Sequence, residues 1–201
     1  MRKFATLLIA LALPAVALAE TPSVGVPLKV RRGLFTETDV GGIVTLGGDD
    51  GYSNLQVYLQ LGVGYQLTVN DAKGIIPIGF HVGIGANAAN CWAVLTRPRQ
   101  DGGTCLAADN FTMTFLSVTG GYLHRVLERL YVGGKAIVGY TLLDPEPVKG
   151  VNGGMTAGVA ASLEYATNMD HFSIGLDVSY RIIIGPNISA LSFFPRVQYT
   201  F

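Results

Sequence analysis

The stretch Leu55–Leu67 alternates between two kinds of residue without a break. Its odd-numbered positions are Leu, Val or Tyr, and its even-numbered positions are Gln, Gly or Tyr. Successive side chains of a β-strand point to opposite faces, so the pattern predicts a strand with one continuous apolar face. A face of this length suits the roughly 9 to 11 tilted residues with which a β-strand crosses a bilayer.

The composition agrees with membrane-spanning strands. Hydrophobic residues make up 49% of the chain. After the first residues, however, no apolar run approaches the roughly 20 residues that a transmembrane helix needs. The chain has 14 basic and 14 acidic residues. With neither a basic patch nor an excess of positive charge, we expect no nucleic-acid partner.

The N-terminal segment has the pattern of a secretory signal. Residues 1–19 contain two basic residues, an apolar stretch too short to span a membrane, and a small-x-small site at Ala17–Ala19. We therefore predict a cleaved signal peptide, since an uncleaved anchor would not need so well-placed a cleavage site. Residues 20–33 are then a periplasmic N-terminal lead, and residues 34–201 form the folded domain.

The same alternation occurs in seven further segments. The eight predicted strands are residues 34–46, 55–67, 76–86, 112–124, 130–142, 155–165, 172–182 and 191–201. The fourth is irregular, because Leu116 and Val118 lie on one face while Met113 and Phe115 lie on the other. Either a bulge or a change of environment near the rim would explain this. The pattern predicts an all-β fold, an eight-stranded antiparallel transmembrane up-and-down barrel.

The last predicted strand, Leu191–Phe201, ends the chain on an aromatic residue. Val197, Tyr199 and Phe201 share its apolar face, and this ending resembles the carboxy-terminal signal of bacterial outer-membrane barrels. The resemblance implies that the barrel insertion machinery reads this strand, that it closes the barrel against the first strand, and that outer-membrane lipid surrounds the protein. The alternative is an edge strand of a soluble β-sandwich, although a bare apolar edge invites aggregation.

The connections alternate in length. Barrels of this kind place short turns and both termini in the periplasm and longer loops outside, which predicts an integral outer-membrane protein with both termini periplasmic. The long loop 90–110 contains Cys91 and Cys105. In an exported protein these form a disulfide, worth on the order of 3 kcal/mol. A two-Cys metal site is the alternative, but that loop has no His. Trp92 beside them is a candidate contact residue or an interfacial anchor.

Charged residues of both signs fall on the inward positions of the predicted strands. An eight-stranded barrel is just wide enough for side chains to fill it, and buried charges persist when they are paired. We therefore expect a salt-bridged polar plug, with a narrow pore or small-solute channel as the alternative, and we expect no catalytic centre, cofactor or metal ion. The predicted plug residues are Glu37, Asp39, His81, Lys135, Glu164, Asp177, Arg181 and Arg196.

A third possibility is a lipid-modifying enzyme. The sequence His171-Phe172-Ser173 is similar to the His-x-Ser arrangement of barrel enzymes that deacylate lipid A. Those enzymes place the nucleophile on the lipid side near the outer leaflet, whereas here His171 and Ser173 both fall on the inward parity beside a periplasmic turn. The loose GxGxxA pattern at Gly83–Ala88 precedes no helix, so it does not indicate a dinucleotide site.

Several blocks resemble an outer-membrane barrel family of gliding bacteria. The resemblance implies a non-enzymatic envelope component of a gliding machine, with other envelope motility proteins as partners. Composition, periodicity and spacing do not themselves indicate motility. The blocks are Gly33–Val40, Tyr52–Tyr65, Ala89–Cys91, Gly139–Pro145, Glu164–Thr167, Met169–Gly175 and Gly185–Ile188.

Overall fold

The computed structural model describes residues 32–47, 54–69, 73–86, 112–144, 151–169 and 171–201. These residues form eight antiparallel strands, each paired with its neighbours in the chain, and β8 pairs with β1 to close the barrel. The predicted fold class is therefore confirmed. The strands are β1 Gly33–Gly47, β2 Asn54–Val69, β3 Gly74–Ala86, β4 Thr112–Leu127, β5 Leu130–Asp144, β6 Gly153–Ala166, β7 Phe172–Ile183 and β8 Ile188–Thr200.

Some predictions fall outside the described residues. These are the signal peptide 1–19, nearly all of the lead 20–33, and the loop with Cys91, Trp92 and Cys105.

The two ends of the barrel differ in their connections. At one end, here called the turn end, lie the connections β2–β3, β4–β5 and β6–β7 together with the start of β1 and the end of β8. The other four connections lie at the opposite end, here called the loop end.

Several strands run further than the alternation indicated. β4 continues to Leu127, which leaves a two-residue turn at 128–129 in place of the predicted turn 125–129. β8 begins at Ile188 instead of Leu191, so the connection between the last two strands is a turn over 184–187. In that turn, Gly185 and Asn187 have φ of 119° and 54°, a region that Gly and Asn enter more readily than other residues. Neither extension continues the alternation. In β4 the adjacent Val126 and Leu127 are both exposed, beside a register shift between Arg125 and Leu127, and in β8 the apolar Ile188 and Ala190 face inward.

The outer surface of the barrel is an apolar belt formed by all eight strands. Large apolar side chains on it are 39% to 69% exposed, and they alternate with buried side chains in each strand. An apolar surface of this extent would cause aggregation in water, whereas the hydrocarbon core of a bilayer solvates it favourably. Within the described residues, no helix has the length and apolarity to cross a membrane.

The irregular fourth strand is explained by a change of environment. Met113 and Phe115 are buried inside the barrel, and their pairing with both β3 and β5 is continuous. The bulge in this strand lies at the other end, between Arg125 and Leu127. The inward face is therefore apolar at the loop end, and no bulge is needed there to place these two residues.

The closing seam between β1 and β8 has one interruption. Asp39 pairs with Arg196 and Gly42 with Phe193, but the two residues between them on each strand are not paired across the seam. Pro195 lies in this gap, and proline has no amide hydrogen to donate to β1. The pairing of β3 with β4 skips in the same way at Pro77. Each proline therefore removes one backbone hydrogen bond between neighbouring strands and leaves the rest of the barrel paired.

The C-terminal residues lie at the turn end of this seam. Val197 and Tyr199 face outward on β8, and the amide of Phe201 donates to the carbonyl of Leu34 at 2.8 Å. The Tyr199 ring makes edge contacts with the rings of Phe172 and Phe201 at centroid distances of 5.0 and 4.9 Å. The residues predicted to form the insertion signal are thus accessible on the outer face.

Candidate functional site

The lumen is the candidate functional site, and its loop-end part is an apolar layer. Alternation directs these side chains inward from six of the strands, where they bury one another. The rings of Tyr58 and Phe115 meet edge to face at 5.7 Å, and Phe194 lies 5.4 Å from Tyr58. The layer consists of Ile43, Tyr58, Met113, Phe115, Leu143, Ile183, Ile188, Ala190 and Phe194.

The middle of the lumen is charged. All eight residues predicted for the plug lie inside the barrel, with exposed fractions from 0% to 8%. They come from six strands. Each of these strands contributes one or two inward side chains to the middle of the barrel. Charges so deeply buried are stable only when opposite charges and hydrogen bonds satisfy them, so their contacts decide whether the lumen is a plug.

Arg196 is the hub of the charged layer. Its guanidinium lies 3.0 Å from Glu164, 3.2 Å from Asp177 and 3.7 Å from Glu37. Three carboxylates from three other strands thus converge on one side chain of the closing strand. Arginine suits this position because its planar fork presents several donors at once.

Lys135 and His81 extend the contacts of this hub. Lys135 Nζ donates to Asp177 at 2.9 Å, and the Ser162 hydroxyl donates to the other oxygen of the same carboxylate at 2.6 Å. His81 Nε2 lies 2.5 Å from Glu37. Six of the eight predicted plug residues therefore form one connected network across the lumen instead of separate pairs.

An amide connects the two remaining plug residues. Gln60 Nε2 donates to Asp39 at 2.6 Å, and its Oε1 accepts from Arg181 at 3.2 Å and from the Tyr58 hydroxyl at 2.5 Å. The sequence places Gln60 and Tyr58 on the inward face, but it does not show that the amide links an acid to a base. Gln60 is therefore a plug residue that sequence reasoning missed.

Arg181 differs from the other lumen cations. It is 1% exposed, and its guanidinium lies 5.5 Å from the Tyr58 ring centroid and 5.0 Å from that of Phe115. Within the described part of the chain it makes no ion pair, and aromatic faces provide its electrostatic contacts. Such cation–π contacts are worth up to about 2 kcal/mol when desolvated.

The turn end of the lumen is also blocked. Ile75, Leu123 and Tyr131 form a second, smaller apolar cluster there. Beside it, Gln198 Nε2 donates to Gln66 Oε1 at 2.6 Å, with both side chains buried. The space found between the layers is a cavity of about 10 Å³ lined by charged-layer residues including Glu37, His81 and Arg181. Described side chains thus occupy the lumen at both ends and in the middle.

The two residues of the His-x-Ser pattern occupy different sites. Ser173 lies inside the barrel, 4% exposed. The expectation that His171 points inward is wrong, because its ring stacks on that of outward-facing Tyr199 at 5.3 Å. His171 precedes β7 and its Nδ1 bonds the Thr200 carbonyl at 2.6 Å, so the turn sets its direction in place of strand parity. A base and nucleophile must be within hydrogen-bonding reach of each other, and this arrangement does not bring these two together.

The described residues contain no group of three or more His, Cys, Asp and Glu side chains arranged to hold a metal ion. The carboxylates of the charged layer are instead directed at Arg196, Lys135 and His81. The charged side chains of the layer therefore balance one another's charges inside the barrel.

Comparison with known proteins identifies the fold. No family model matches the chain, and no curated protein matches it. The solved structure of Neisserial surface protein A is similar, with a TM-score of 0.57, 13% sequence identity, and coverage of 84% of this chain and 97% of that one. The outer membrane enzyme PagL gives a TM-score of 0.49 at 13% identity, covering 83% and 99%. The Ail protein of Yersinia pestis gives 0.47 at 12% identity, covering 85% and 97%. The closed eight-stranded barrel of this chain thus has the fold of the solved Neisserial surface protein A.

Proposed function

We propose that this chain is an integral outer-membrane protein with a non-enzymatic structural or interaction role in the cell envelope. The observation that carries the proposal is the filled lumen, in which a charged network lies between two apolar layers. A barrel filled in this way offers its outer surface and its two ends for contacts. The apolar belt supports the location in a bilayer.

The proposal includes the orientation and the partners. Both termini and the short turns face the periplasm, and the four connections of the loop end face outward. Val197, Tyr199 and Phe201 are the residues that the barrel insertion machinery reads. Outer-membrane lipid covers the belt, while envelope proteins contact the outer loops or the periplasmic turns.

The finer proposal is a component of adventurous gliding motility. It rests on the sequence blocks that resemble the gliding motility protein CglE. Six of these blocks overlap the described strands β1, β2, β5, β6, β7 and β8. A closed barrel that transports nothing is consistent with a part of a force-transmitting envelope machine.

The two alternatives have less support. A narrow pore would require the side chains of all three layers to move aside, including the Arg196 hub with its three carboxylates. A lipid-modifying enzyme would require His171 to leave Tyr199 and reach Ser173 inside the barrel. Each alternative therefore predicts a large rearrangement that the structural role does not need.

The test is a gene deletion scored in the same cells for single-cell gliding, small-solute permeability and lipid A structure. We expect gliding to be lost while permeability and lipid A are unchanged, and we expect the intact gene and a Ser173→Ala variant to restore gliding equally. Normal gliding with reduced solute uptake would overturn the motility role in favour of a channel. Altered lipid A that the intact gene corrects and Ser173→Ala does not would establish an enzyme.

A further inference from the structure

Arg181 is a buried cation with unused hydrogen-bond donors. Its Nη2 donates to Gln60, but its Nε and Nη1 have no partner among the described residues. Leaving a buried donor without an acceptor costs about 1 to 3 kcal/mol, and more for a charged group. An arginine that is 1% exposed therefore needs a partner that the side chains around it do not provide.

A second unused polar atom belongs to the same wall of the lumen. His81 uses Nε2 to contact Glu37, while its Nδ1 has no partner. Arg181 and His81 come from β7 and β3, and both line the central cavity. Two independent strands thus contribute residues with unsatisfied polar atoms to the lining of one cavity.

The size of this space limits its occupant. The cavity volume is about 10 Å³, and a water molecule needs roughly 10 to 15 Å³ measured in this way. Apolar voids of this size stay empty, but seven of the ten residues that line this one are polar or charged. One small polar molecule fits, and a larger solute does not.

The chemistry of the walls favours water over a halide ion. Glu37 and Asp177 line the cavity together with Lys135 and Arg181, so an anion would face two carboxylates. Water can accept from Arg181 and donate to a carboxylate. It can also donate to or accept from His81 Nδ1, whereas a halide could only accept. Water is therefore complementary to this wall in either protonation state of His81.

We propose that the barrel contains a structural water site, in which one buried water molecule bonds the free guanidinium donors of Arg181 and links them to His81 and the carboxylates of the charged layer. Apolar clusters lie toward both ends of the lumen from this water. It provides partners for polar atoms of Arg181 and His81 that the described side chains leave without one, and so it belongs to the folded protein in the same way as a core residue.

The test is a high-resolution crystal structure of the full chain, with a parallel crystal soaked in sodium bromide. We expect a single density peak about 2.7 to 3.2 Å from Arg181 Nε or Nη1, and no anomalous bromide signal at that position. An empty cavity, or a bromide peak there, would overturn the proposal.

A variant tests the role of Arg181 in the site. In Arg181→Met we expect the peak to be lost, while in Ser179→Ala, which changes a hydroxyl that bonds Ser192 elsewhere in the lumen, it stays. A peak that persists unchanged in Arg181→Met would show that Arg181 does not bind the water. If Arg181→Met does not fold, oxygen-17 relaxation dispersion on the unaltered protein provides the second measurement. A long-lived internal water is expected, and its absence would refute the site.

Discussion

Replacing the hub of the charged layer tests whether it stabilises the fold. In Arg196→Met the side chain keeps its approximate length but leaves Glu37, Glu164 and Asp177 without the guanidinium that lies 3.0 to 3.7 Å from them. Removing one partner of a buried ion pair costs about 3 to 5 kcal/mol. Because Arg196 contacts three carboxylates, we expect a loss at the upper end of this range, about 5 kcal/mol in the free energy of unfolding.

The assay is urea-induced unfolding of the barrel in phospholipid vesicles, followed by circular dichroism and by the gel mobility of unheated samples. Arg125→Met is the matched control, since Arg125 lies at the turn end outside the charged layer. A surface change of this kind stays within about 0.5 kcal/mol. The double variant Arg196→Met with Glu164→Gln should recover part of the loss, because it also removes an uncompensated carboxylate.

The reasoning would be refuted if Arg196→Met lost less than about 1 kcal/mol, a value near that of an exposed pair. Water would then have to solvate the three carboxylates in the unaltered protein as well. The charged layer would be a hydrated passage, and the filled-lumen account would not hold.

Three further variants test other parts of the barrel by the same unfolding measurement. Gly41→Ala should lose about 3 kcal/mol of unfolding free energy, since the new methyl would overlap the Phe193 carbonyl in the closing seam. Gly120→Ala is the control, because nothing lies within 4 Å of its new methyl, and its effect should stay within about 0.5 kcal/mol. Equal effects of the two variants would contradict the seam geometry. Pro195→Val should gain about 1 kcal/mol by restoring a backbone donor to β1, and no gain would show that the missing rung is not the cause of the interruption. Phe115→Ala should lose about 3 to 5 kcal/mol by opening a cavity in the loop-end layer; a loss below about 1 kcal/mol would mean that this layer is loosely packed.

The fold could be predicted from the sequence because side-chain alternation reports directly which solvent each face meets. Leu55–Leu67 shows this most clearly, since its odd positions are outward and most of its even positions are buried. The ends of β4 and β8 were predicted less well, because a register shift breaks the alternation near Leu127 and because the inward face of β8 is apolar at Ile188 and Ala190. Pro77 and Pro195 interrupt the backbone pairing locally without changing the number of strands.

The contacts inside the lumen could be predicted only in part. Parity places Glu37, Asp177 and Arg196 inside, but which acid meets which base depends on the stagger between neighbouring strands, which single strands do not reveal. The amide bridge of Gln60 depends on that stagger as well. Met113 and Phe115 break the expected alternation of β4 only if the barrel interior is polar along its whole length. The interior is apolar at the loop end, where both side chains are buried.

The most direct test of the filled lumen is the conductance of the purified barrel in a planar lipid bilayer. The account predicts no current above the leak of the bare membrane, because a charged layer compensated by Arg196 lies between two apolar layers. Steady unitary currents that change in Glu164→Gln or in Arg181→Met would contradict it, since ions would then pass the residues that the structure places at the centre of a closed plug.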